Sequence, residues 1–399
     1  MNDDRIRELT DVYRDGLLND TLPFWIEHAV DREFGGFSFC LDRDGTVFDT
    51  DKGMWQQGRF TWLLSTLYRD VEPREEWKKL ARHGVDFLLR HGFDDDGRMF
   101  FQVTRDGSPV RKRRYIFTET FAIIALAAWA EISGDEQAKE RAESLFELVD
   151  RYLTEPGLIP PKKDPSTRDG KGLVVPMIML STAQVLRRVS DHPLCTSWVE
   201  RAIDEIERDF MKPDLRAVME VVGPHGEVID HADERTLNPG HSIEAAWFLL
   251  EEARLRGGDA RLERMGTSIL DWMWERGWDR EFGGILYFVD ALGKPVQEYW
   301  HDMKFWWPHN ETVLATLYAY EATRDSKYEE WHRLVHDWAH EHFPDREHGE
   351  WFGYLARDGR ATSSVKGNIW KGPFHLPRMQ LFAWKLLERL ADSRRVGTA

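Results

Sequence analysis

One short motif occurs three times in this chain, and it indicates a fold built from repeated units. Residues 31–36 read DREFGG, residues 279–284 read DREFGG again, and residues 345–350 read DREHGE. At 399 residues the chain exceeds the size at which one compact core usually stops growing. Repeated units that bury their apolar faces against one another allow such a chain to remain one domain. We therefore predict a single domain over residues 1–399.

The apolar pattern between the repeats predicts helices. Phe60, Leu63, Leu64 and Leu67 share one helical stripe, and comparable stripes recur along the chain. Between the helices lie stretches that resemble β-hairpins closed by Asp-Gly or similar turns, at residues 31–48, 94–109, 220–229, 279–296 and 345–361. About twelve helical segments in inward and outward pairs are typical of a toroid. The predicted fold class is all-α, an (α/α)6 barrel of helical hairpins with short β-hairpin insertions at one mouth.

Composition excludes several classes of function. The formal net charge of −16 opposes binding to nucleic acid and docking on anionic membranes. The N-terminus does not resemble a signal peptide, and no apolar run is long enough to span a bilayer. Cys40 and Cys195 are too few for a disulfide framework, which favours a cytoplasmic protein. The 18 tryptophans suit helix packing and also a cavity that stacks on sugar rings.

Four segments combine polar and aromatic residues at predicted helix starts. They read WQQGR (55–59), NPGHSIE (238–244), KFWWPHNE (304–311) and KGPFHLPR (371–378). Helix starts at one mouth of a toroid bring these segments together. His241 and Glu244 are three residues apart, so we expect them to share a helical face and form a hydrogen-bonded pair. His309 and Glu311 are two apart and should not share a face.

Histidines in these segments are candidates for proton transfer. An unperturbed imidazole pKa of ~6.5 allows the ring to take and return a proton near neutrality. Two imidazoles on opposite sides of a substrate carbon can invert that carbon, whereas one favours transfer on a single face. Histidine with glutamate can also hold a metal, but the chain has no HExxH motif and the candidates are scattered. We predict neither a metal nor a cofactor.

Two further residues and one loop stand out. Arg59 follows Gly58 at a helix start, where its guanidinium suits a sugar hydroxyl or a developing enediolate oxygen, with a surface role as the alternative. Glu220 lies in an apolar run, where a carboxylate facing a cavity has a raised pKa or a fixed partner. An outward position on a hairpin is the alternative. Residues 168–172 (RDGKG) do not match the phosphate-loop pattern, and we expect a surface loop.

Taken together, the segments resemble the N-acylglucosamine 2-epimerase family, which includes cellobiose 2-epimerases and mannose isomerases on an (α/α)6 barrel. The matching motifs are DTDKGMWQQGR (49–59), LNPGHSIEAAWFLLEEA (237–253), KFWWPHNETVLATLYAYE (304–321), GEWFGYLARDGR (349–360) and KGPFHLPR (371–378). The resemblance extends from about residue 31 to residue 378. It implies the toroidal fold independently of the apolar pattern.

The resemblance also implies roles for individual residues. It makes His241 and His375 the acid–base pair of the reaction. Glu220, His309 and Glu311 are expected to assist ring opening or substrate orientation. Apart from the resemblance, the bulky indole of Trp370 lies just before KGPFHLPR, where it fills the space of a 2-acetamido group, stacks on the methyl of that group or turns outward as a packing residue. The residues expected to bind substrate are Arg59, Glu220, Trp307, His309, Glu311, Trp370 and Arg378.

The expected reaction is epimerisation at C2 of a ring-opened aldose, most simply the interconversion of N-acetylglucosamine and N-acetylmannosamine. A mannose isomerase or a mannose/glucose 2-epimerase uses the same enediolate. Two alternatives belong to other classes, an inverting glycosidase with Glu220 and Glu311 as acid and base, and a non-catalytic partner-binding protein. Beyond the sugar, the expected partners are a second copy of the chain in a homodimer and ATP as an effector at residues 169–172.

Overall fold

The computed structural model describes residues 1–113 and 115–397, and helices account for most of them. In chain order the helices are α1 (Asp3–Gly16), α2 (Leu22–Ala29), α3 (Met54–Asp70), α4 (Glu75–His91), α5 (Phe117–Ser133), α6 (Glu136–Thr154), α7 (Val174–Leu186), α8 (Pro193–Glu205), α9 (Ala232–Arg235), α10 (Pro239–Leu255), α11 (Ala260–Gly277), α12 (Trp306–Thr323), α13 (Ser326–His342) and α14 (His375–Gly397). None of the described helices combines the length and the apolarity that a membrane span requires.

The distribution of apolar residues separates the helices into two concentric rings. Every residue from Thr118 to Ala130 of α5 is buried, as expected of a helix that is apolar on all sides. Helix α4 instead buries a single stripe, formed by Trp77, Leu80, Ala81, Gly84, Val85, Phe87 and Leu88. The inner ring consists of α3, α5, α7, α10, α12 and α14, and the outer ring of α1, α4, α6, α8, α11 and α13. This arrangement is the predicted (α/α)6 toroid.

The ring is closed by contacts between its first and last helices. Neighbouring inner helices pack side by side from α3 to α14. The aromatic ring centre of Trp62 on α3 lies 5.5 Å from that of Phe374, the residue before α14, and 6.0 Å from that of Phe382 on α14. Outside this junction α1 packs on α14 as its outer partner. The two ends of the chain therefore complete the same helical pair.

Strands of two or three residues connect the loops at the mouth where the inner helices begin. They are β1 (Cys40–Leu41), β2 (Val47–Asp49), β3 (Lys52–Gly53), β4 (Gln102–Val103), β5 (Pro109–Arg111), β6 (Lys171–Gly172), β7 (Met211–Lys212), β8 (Ala217–Val218), β9 (Val221–Val222), β10 (Thr236–Leu237), β11 (Val289–Asp290), β12 (Lys304–Phe305) and β13 (Tyr354–Leu355). All described pairs are antiparallel.

The pairing of these strands differs in part from the predicted hairpins. Local pairs form as expected between β1 and β2 and between β4 and β5. Elsewhere the strand that precedes an inner helix pairs with a strand of the next loop, as in β3–β4, β6–β9, β10–β11 and β12–β13. The cause is that a strand leading into a helix leaves backbone groups unpaired, and the following loop satisfies them. The loops are thereby linked one to the next around the mouth.

The repeated motif builds the same turn each time. The backbone N–H of its aspartate donates to the carbonyl of the sixth motif residue, at 3.1 Å for Asp31, 2.9 Å for Asp279 and 3.0 Å for Asp345. One carboxylate oxygen also accepts backbone N–H groups inside the turn, such as that of Glu33 at 3.1 Å from Asp31. The side chain therefore holds its own loop in shape before it binds anything else.

Each motif aspartate also forms an ion-paired cluster with a lysine and an arginine from other loops. The aspartate–lysine distances are 2.9 Å for Asp31–Lys52, 2.9 Å for Asp279–Lys304 and 3.0 Å for Asp345–Lys366. The arginines are Arg105, Arg357 and Arg43, at 2.9, 2.7 and 2.7 Å respectively. All three lysines are fully buried. We call these three groups the Asp–Lys–Arg clusters.

The clusters attach the repeated turns to the starts of inner helices. Lys52 and Lys304 lie two residues before α3 and α12, and Lys366 lies in the segment that leads into α14. A buried lysine needs a compensating charge, and burial lowers the pKa of Lys304 to about 8 even with Asp279 beside it. The cations in turn hold the pKa of the Asp279 carboxyl well below its usual range. Each buried lysine is thus paired with a buried carboxylate, and the half-exposed arginine binds the same carboxylate from the solvent side.

We predict that Asp279→Asn lowers the free energy of unfolding by about 3–5 kcal/mol, because Lys304 is left buried without its charge partner. Asparagine keeps the hydrogen bonds of the turn, so the loss reports the ion pair. Urea unfolding followed by circular dichroism measures the change. The control is Asp86→Asn, which removes the exposed Arg82–Asp86 pair of α4 and should change the free energy by about 0.5 kcal/mol. Equal losses in the two variants would contradict the prediction.

Candidate active site

The first turns of the inner helices surround a cavity of about 540 Å³ at the mouth of the toroid. The four segments singled out in the sequence all reach it, from α3, α10, α12 and the start of α14. Its polar lining includes Arg59, His241, Glu244, His375 and Arg378. Parallel helices that begin at one place direct the positive ends of their dipoles there, which favours negative charge in the cavity.

His241 lies in the first turn of α10, where Asn238 caps the helix by accepting the His241 backbone N–H at 3.2 Å. The ring Nδ1–H donates to Oε1 of Glu220 at 2.9 Å. Burial opposes a charge on His241, but the carboxylate of Glu220 outweighs it, so the pKa of the imidazole lies above its ordinary value. Nε2 is the ring nitrogen left for a ligand.

The expected pairing of His241 with Glu244 is wrong. Glu244 instead accepts a hydrogen bond from Nη2 of Arg378 at 2.5 Å, and Glu220 takes its place beside the histidine. The guanidinium is a permanent cation and attracts the carboxylate more strongly than a titrating imidazole does. Glu220 itself lies in the loop between β8 and β9. The sequence predicted a fixed partner for a carboxylate facing the cavity, and in the structure the partner of Glu220 is His241.

His375 is the first residue of α14 and is almost completely buried. Its Nδ1–H donates to Oε1 of Glu311 at 2.6 Å, and Nη2 of Arg378 lies 3.3 Å from the same nitrogen. Burial and the Arg378 cation hold the pKa of His375 well below its ordinary value. Each of the two histidines is oriented by a glutamate, and their pKa values are shifted in opposite directions.

Trp307 brings the two imidazoles into one site. Its ring centre lies 5.0 Å from that of His241 and 5.6 Å from that of His375. The indole lines the cavity between the starts of α10 and α14. Glycine at position 240 is required here, because an added Cβ would lie 2.6 Å from the Trp307 ring. The close approach of α10 to this indole sets the separation of the histidines.

Arg378 is bound by two buried carboxylates. Its Nη2 lies 2.5 Å from Glu244 and 2.7 Å from Oε1 of Glu311, and Glu311 also accepts a hydrogen bond from Trp247 at 2.8 Å. The donor atoms of Glu244, Glu311 and His375 lie within 4.8 Å of one another, which is close enough to hold a metal ion. A metal would have to displace the guanidinium that already neutralises both acids. These three side chains therefore fit the Arg378 guanidinium better than a metal ion.

Arg59 is a buried cation without a charge partner in the described part of the chain. Its guanidinium carbon lies 4.4 Å from the ring of Trp55, 4.1 Å from that of Phe121 and 4.7 Å from that of Phe374. Burial lowers its pKa to about 9, and its Nε has no hydrogen-bond partner among the described residues. The aromatic rings compensate the charge in part, which leaves the N–H groups for an oxygen of a ligand.

Three predicted substrate contacts do not line the cavity. His309 is fully buried, where its Nδ1–H donates to the Phe305 carbonyl at 2.7 Å and its Nε2 accepts the Ile285 N–H at 2.9 Å. Burial lowers the pKa of His309 to about 3. Glu220 and Glu311 act on the cavity through the histidines that they bind. Trp370, by contrast, does line the cavity, at its rim. Its side chain is 46% exposed, and its ring lies 5.6 Å from that of Trp55.

Sequence reasoning missed several residues of the lining. Glu244 lay in a quoted segment but was given only the role of a histidine partner. Tyr115, Tyr287 and Tyr354 line the cavity from loops at the mouth. Tyr287 follows the second copy of the motif by three residues and Tyr354 follows the third by four, which is the one signal that could have found them. Tyr115 has no comparable sequence signal.

Comparisons with known proteins agree with this geometry. The family model described as N-acylglucosamine 2-epimerase (GlcNAc 2-epimerase) matches residues 35–375. The chain belongs to the N-acylglucosamine 2-epimerase family. The N-acylglucosamine 2-epimerase of Bos taurus is 35% identical over 398 residues, covering 96% of this chain and 93% of the relative. Membership confirms the family resemblance and the prediction of an isomerase.

Solved structures of similar fold confirm the toroid. The cellobiose 2-epimerase from Spirochaeta thermophila superposes with a TM-score of 0.84 at 21% identity, covering 98% of this chain and 99% of that one. A D-mannose isomerase superposes with a TM-score of 0.82 at 19% identity, covering 94% and 97%. These levels of identity support the shared fold.

We predict that His241 and His375 titrate on opposite sides of the ordinary histidine pKa of ~6.5. In ¹⁵N spectra assigned with His241→Asn and His375→Asn, His241 should hold its proton above that pH, and His375 should stay neutral far below it. Glu220→Gln should lower the pKa of His241, because the carboxylate is what raises it. Glu227→Gln, in an exposed turn, is the matched control. An unchanged titration in Glu220→Gln would refute this electrostatic assignment.

Proposed function

We propose that this chain is a sugar 2-epimerase that interconverts N-acetylglucosamine and N-acetylmannosamine. The observation that carries the proposal is the pair of imidazoles on one cavity, each bound at Nδ1 by a glutamate; their pKa values are shifted in opposite directions. Such a pair supplies an acid and a base at the same pH. The named relatives in cattle, mouse, rat and human, at 34–35% identity over nearly the whole chain, support the substrate.

The reaction requires an open-chain sugar, because the C2 proton is acidic only beside a free aldehyde. Neutral His375 removes that proton, and the electron pair forms an enolate with its charge on O1. Protonated His241 then returns a proton to C2 from the other face, which inverts the carbon. The histidines exchange protonation states in one turnover. Exchange of protons with water, or turnover in the reverse direction, restores them.

The remaining site residues orient this pair and stabilise the charge. Arg59 presents a cation without a charge partner, in the described part of the chain, to the developing oxyanion, and the helix dipoles add to the same field. Glu220 and Glu311 hold the rings of His241 and His375 so that Nε2 of each is free for the substrate. We assign His309 a positioning role, because its two hydrogen bonds connect the start of α12 to the turn before Ile285.

The alternative reactions make different demands on the site. An inverting glycosidase needs two carboxyl groups that face the bond to be cleaved. Glu220 and Glu311 are occupied by histidines, which favours proton transfer by imidazole. A ketose isomerase forms the corresponding enediolate from a sugar with a free 2-hydroxyl and returns the proton to C1, and a mannose isomerase shares the fold. Incubation with N-acetylglucosamine, mannose, glucose and cellobiose in heavy water, followed by NMR at C1 and C2, separates these reactions.

We predict that His241→Asn and His375→Asn each abolish net epimerisation while the fold is retained. Neither proton transfer has a substitute group within the pair, so kcat should fall by at least about 10²–10⁴-fold. Exchange of the C2 proton with solvent should survive in one of the two variants, because the histidine that this variant retains can still remove the proton. A coupled NMR assay in heavy water measures both processes. A variant that kept more than a tenth of normal kcat would exclude that histidine.

A second prediction concerns Trp370, whose half-exposed ring lies at the rim of the cavity. If the indole blocks an acetamido group, Trp370→Gly should raise kcat/KM for N-acetylmannosamine relative to mannose. If the indole grips that group, the same variant should lower the ratio, by about tenfold for a lost apolar contact of this kind. An unchanged ratio would remove Trp370 from substrate selection.

Three further predictions from the sequence stand as proposals. A homodimer would use the outer helices, such as α4, which buries a single stripe and leaves its other face exposed, and sedimentation tests it. An ATP effector would act at residues 169–172, where Lys171 is bound to Asp209 and Glu205; a nucleotide-dependent change in kcat tests that. A cytoplasmic location is supported by the two cysteines, which are free and buried.

A further inference from the structure

Helix α7 differs from the other inner helices in the first turns that face the cavity. In α3, α5, α10 and α12 these turns are almost entirely buried. In α7, Val174, Ile178 and Ser181 remain half-exposed, although they follow one another at helical spacing on one face. All three line the cavity, together with the more deeply buried Ile124 and Met177. We call these five residues the α7 wall, although Ile124 belongs to the neighbouring α5.

The α7 wall carries one polar group that is not used within the protein. Ser181 has no hydrogen-bond partner among the described residues, whereas the neighbouring Thr182 donates to the Ile178 carbonyl at 2.7 Å. A hydroxyl in a helix usually makes such a bond to the preceding turn. A half-exposed hydroxyl without a partner, set among aliphatic side chains in a cavity, is suited to bind one polar group of a ligand next to an apolar one.

An N-acyl substituent has that composition. Its amide offers one donor and one acceptor, and its alkyl end is apolar. Helix α7 packs beside α10, which carries His241, so a substituent on the carbon that His241 serves can extend to α7. Trp370 lies elsewhere on the lining, beside Trp55 and Phe101. A substituent that extends to α7 is not in contact with its indole, so Trp370→Gly should then leave the ratio of kcat/KM for N-acetylmannosamine and mannose unchanged.

We propose that the α7 wall is the acyl subsite, with the Ser181 hydroxyl bound to the amide and the side chains of Ile178 and Val174 against the alkyl group. The proposal rests on the proposed function, because it locates the group that distinguishes an N-acylhexosamine from a hexose. It further states that the size of residue 178 sets the length of acyl chain that the enzyme accepts.

The test compares wild type with three α7 variants on N-acetylmannosamine, N-butanoylmannosamine and mannose. Ile178→Ala should raise the kcat/KM ratio of the butanoyl to the acetyl sugar by about tenfold, because it makes room for the longer chain. Ile178→Phe should lower kcat/KM for both acyl sugars at least about tenfold and leave mannose unchanged. Ser181→Ala should lower kcat/KM for both acyl sugars and not for mannose, because the amide loses its partner.

The matched control is Val185→Ala, which changes the same face of α7 two turns further on. Val185 lines a second cavity of about 420 Å³ towards the other ends of the inner helices. This variant should leave all ratios unchanged. If the Ile178 and Ser181 variants change acyl sugars and mannose equally, the acyl subsite is excluded and the proposed function stands.

Failure of the proposed function gives a different result. In that case wild type converts no N-acyl sugar, and binding of N-acetylmannosamine and mannose is measured by calorimetry instead. Weaker binding of N-acetylmannosamine alone to Ile178→Phe would still support the acyl subsite. Equal binding of both sugars to wild type and Ile178→Phe would overturn it.

Discussion

The buried Asp–Lys–Arg clusters are the interaction on which the mouth of this toroid depends. The inner helices are apolar on most sides, so their packing alone would permit sliding and rotation. Each cluster connects a repeated turn to the segment that leads into an inner helix, through a lysine that is fully buried. A buried lysine without its aspartate is strongly unfavourable. The loops can therefore adopt few arrangements other than the one that places the helix starts.

The active-site geometry follows from that placement. Lys52 and Lys304 immediately precede the segments that carry Arg59 and Trp307. Strand pairs that join neighbouring loops transmit the same constraint around the mouth, for example between β12 and β13. The histidines are then oriented by glutamates that come from other parts of the ring, Glu220 from a loop and Glu311 from α12. Orientation of the imidazoles is thus set by tertiary structure rather than by the helices that carry them.

These relations explain what could be predicted from sequence. Apolar spacing and the three motif copies were sufficient to predict the toroid. The position of polar segments at helix starts was sufficient to predict that Arg59, His241 and His375 share one cavity. The partner of His241 was predicted wrongly, because the competing attraction of Arg378 for Glu244 arises 134 residues away in sequence. Histidine itself is a poor signal in this chain. His332 and His336 on α13 are buried against the Tyr13 hydroxyl at 2.9 and 2.8 Å, and His309 packs behind the cavity.

The charges of the site suggest why both carboxylates and arginines surround the histidines. Glu220, Glu244 and Glu311 supply negative charge, which Arg59, Arg378 and, in the proposed mechanism, protonated His241 balance one for one. In the reaction that we propose, neutral His375 takes a proton from the substrate, so the new imidazolium and the enolate appear together and the total charge of the cavity does not change. A buried site tolerates an internal ion pair far better than a net charge. The reaction intermediate is therefore accommodated without an ion entering from solvent, provided that both histidines begin in different protonation states.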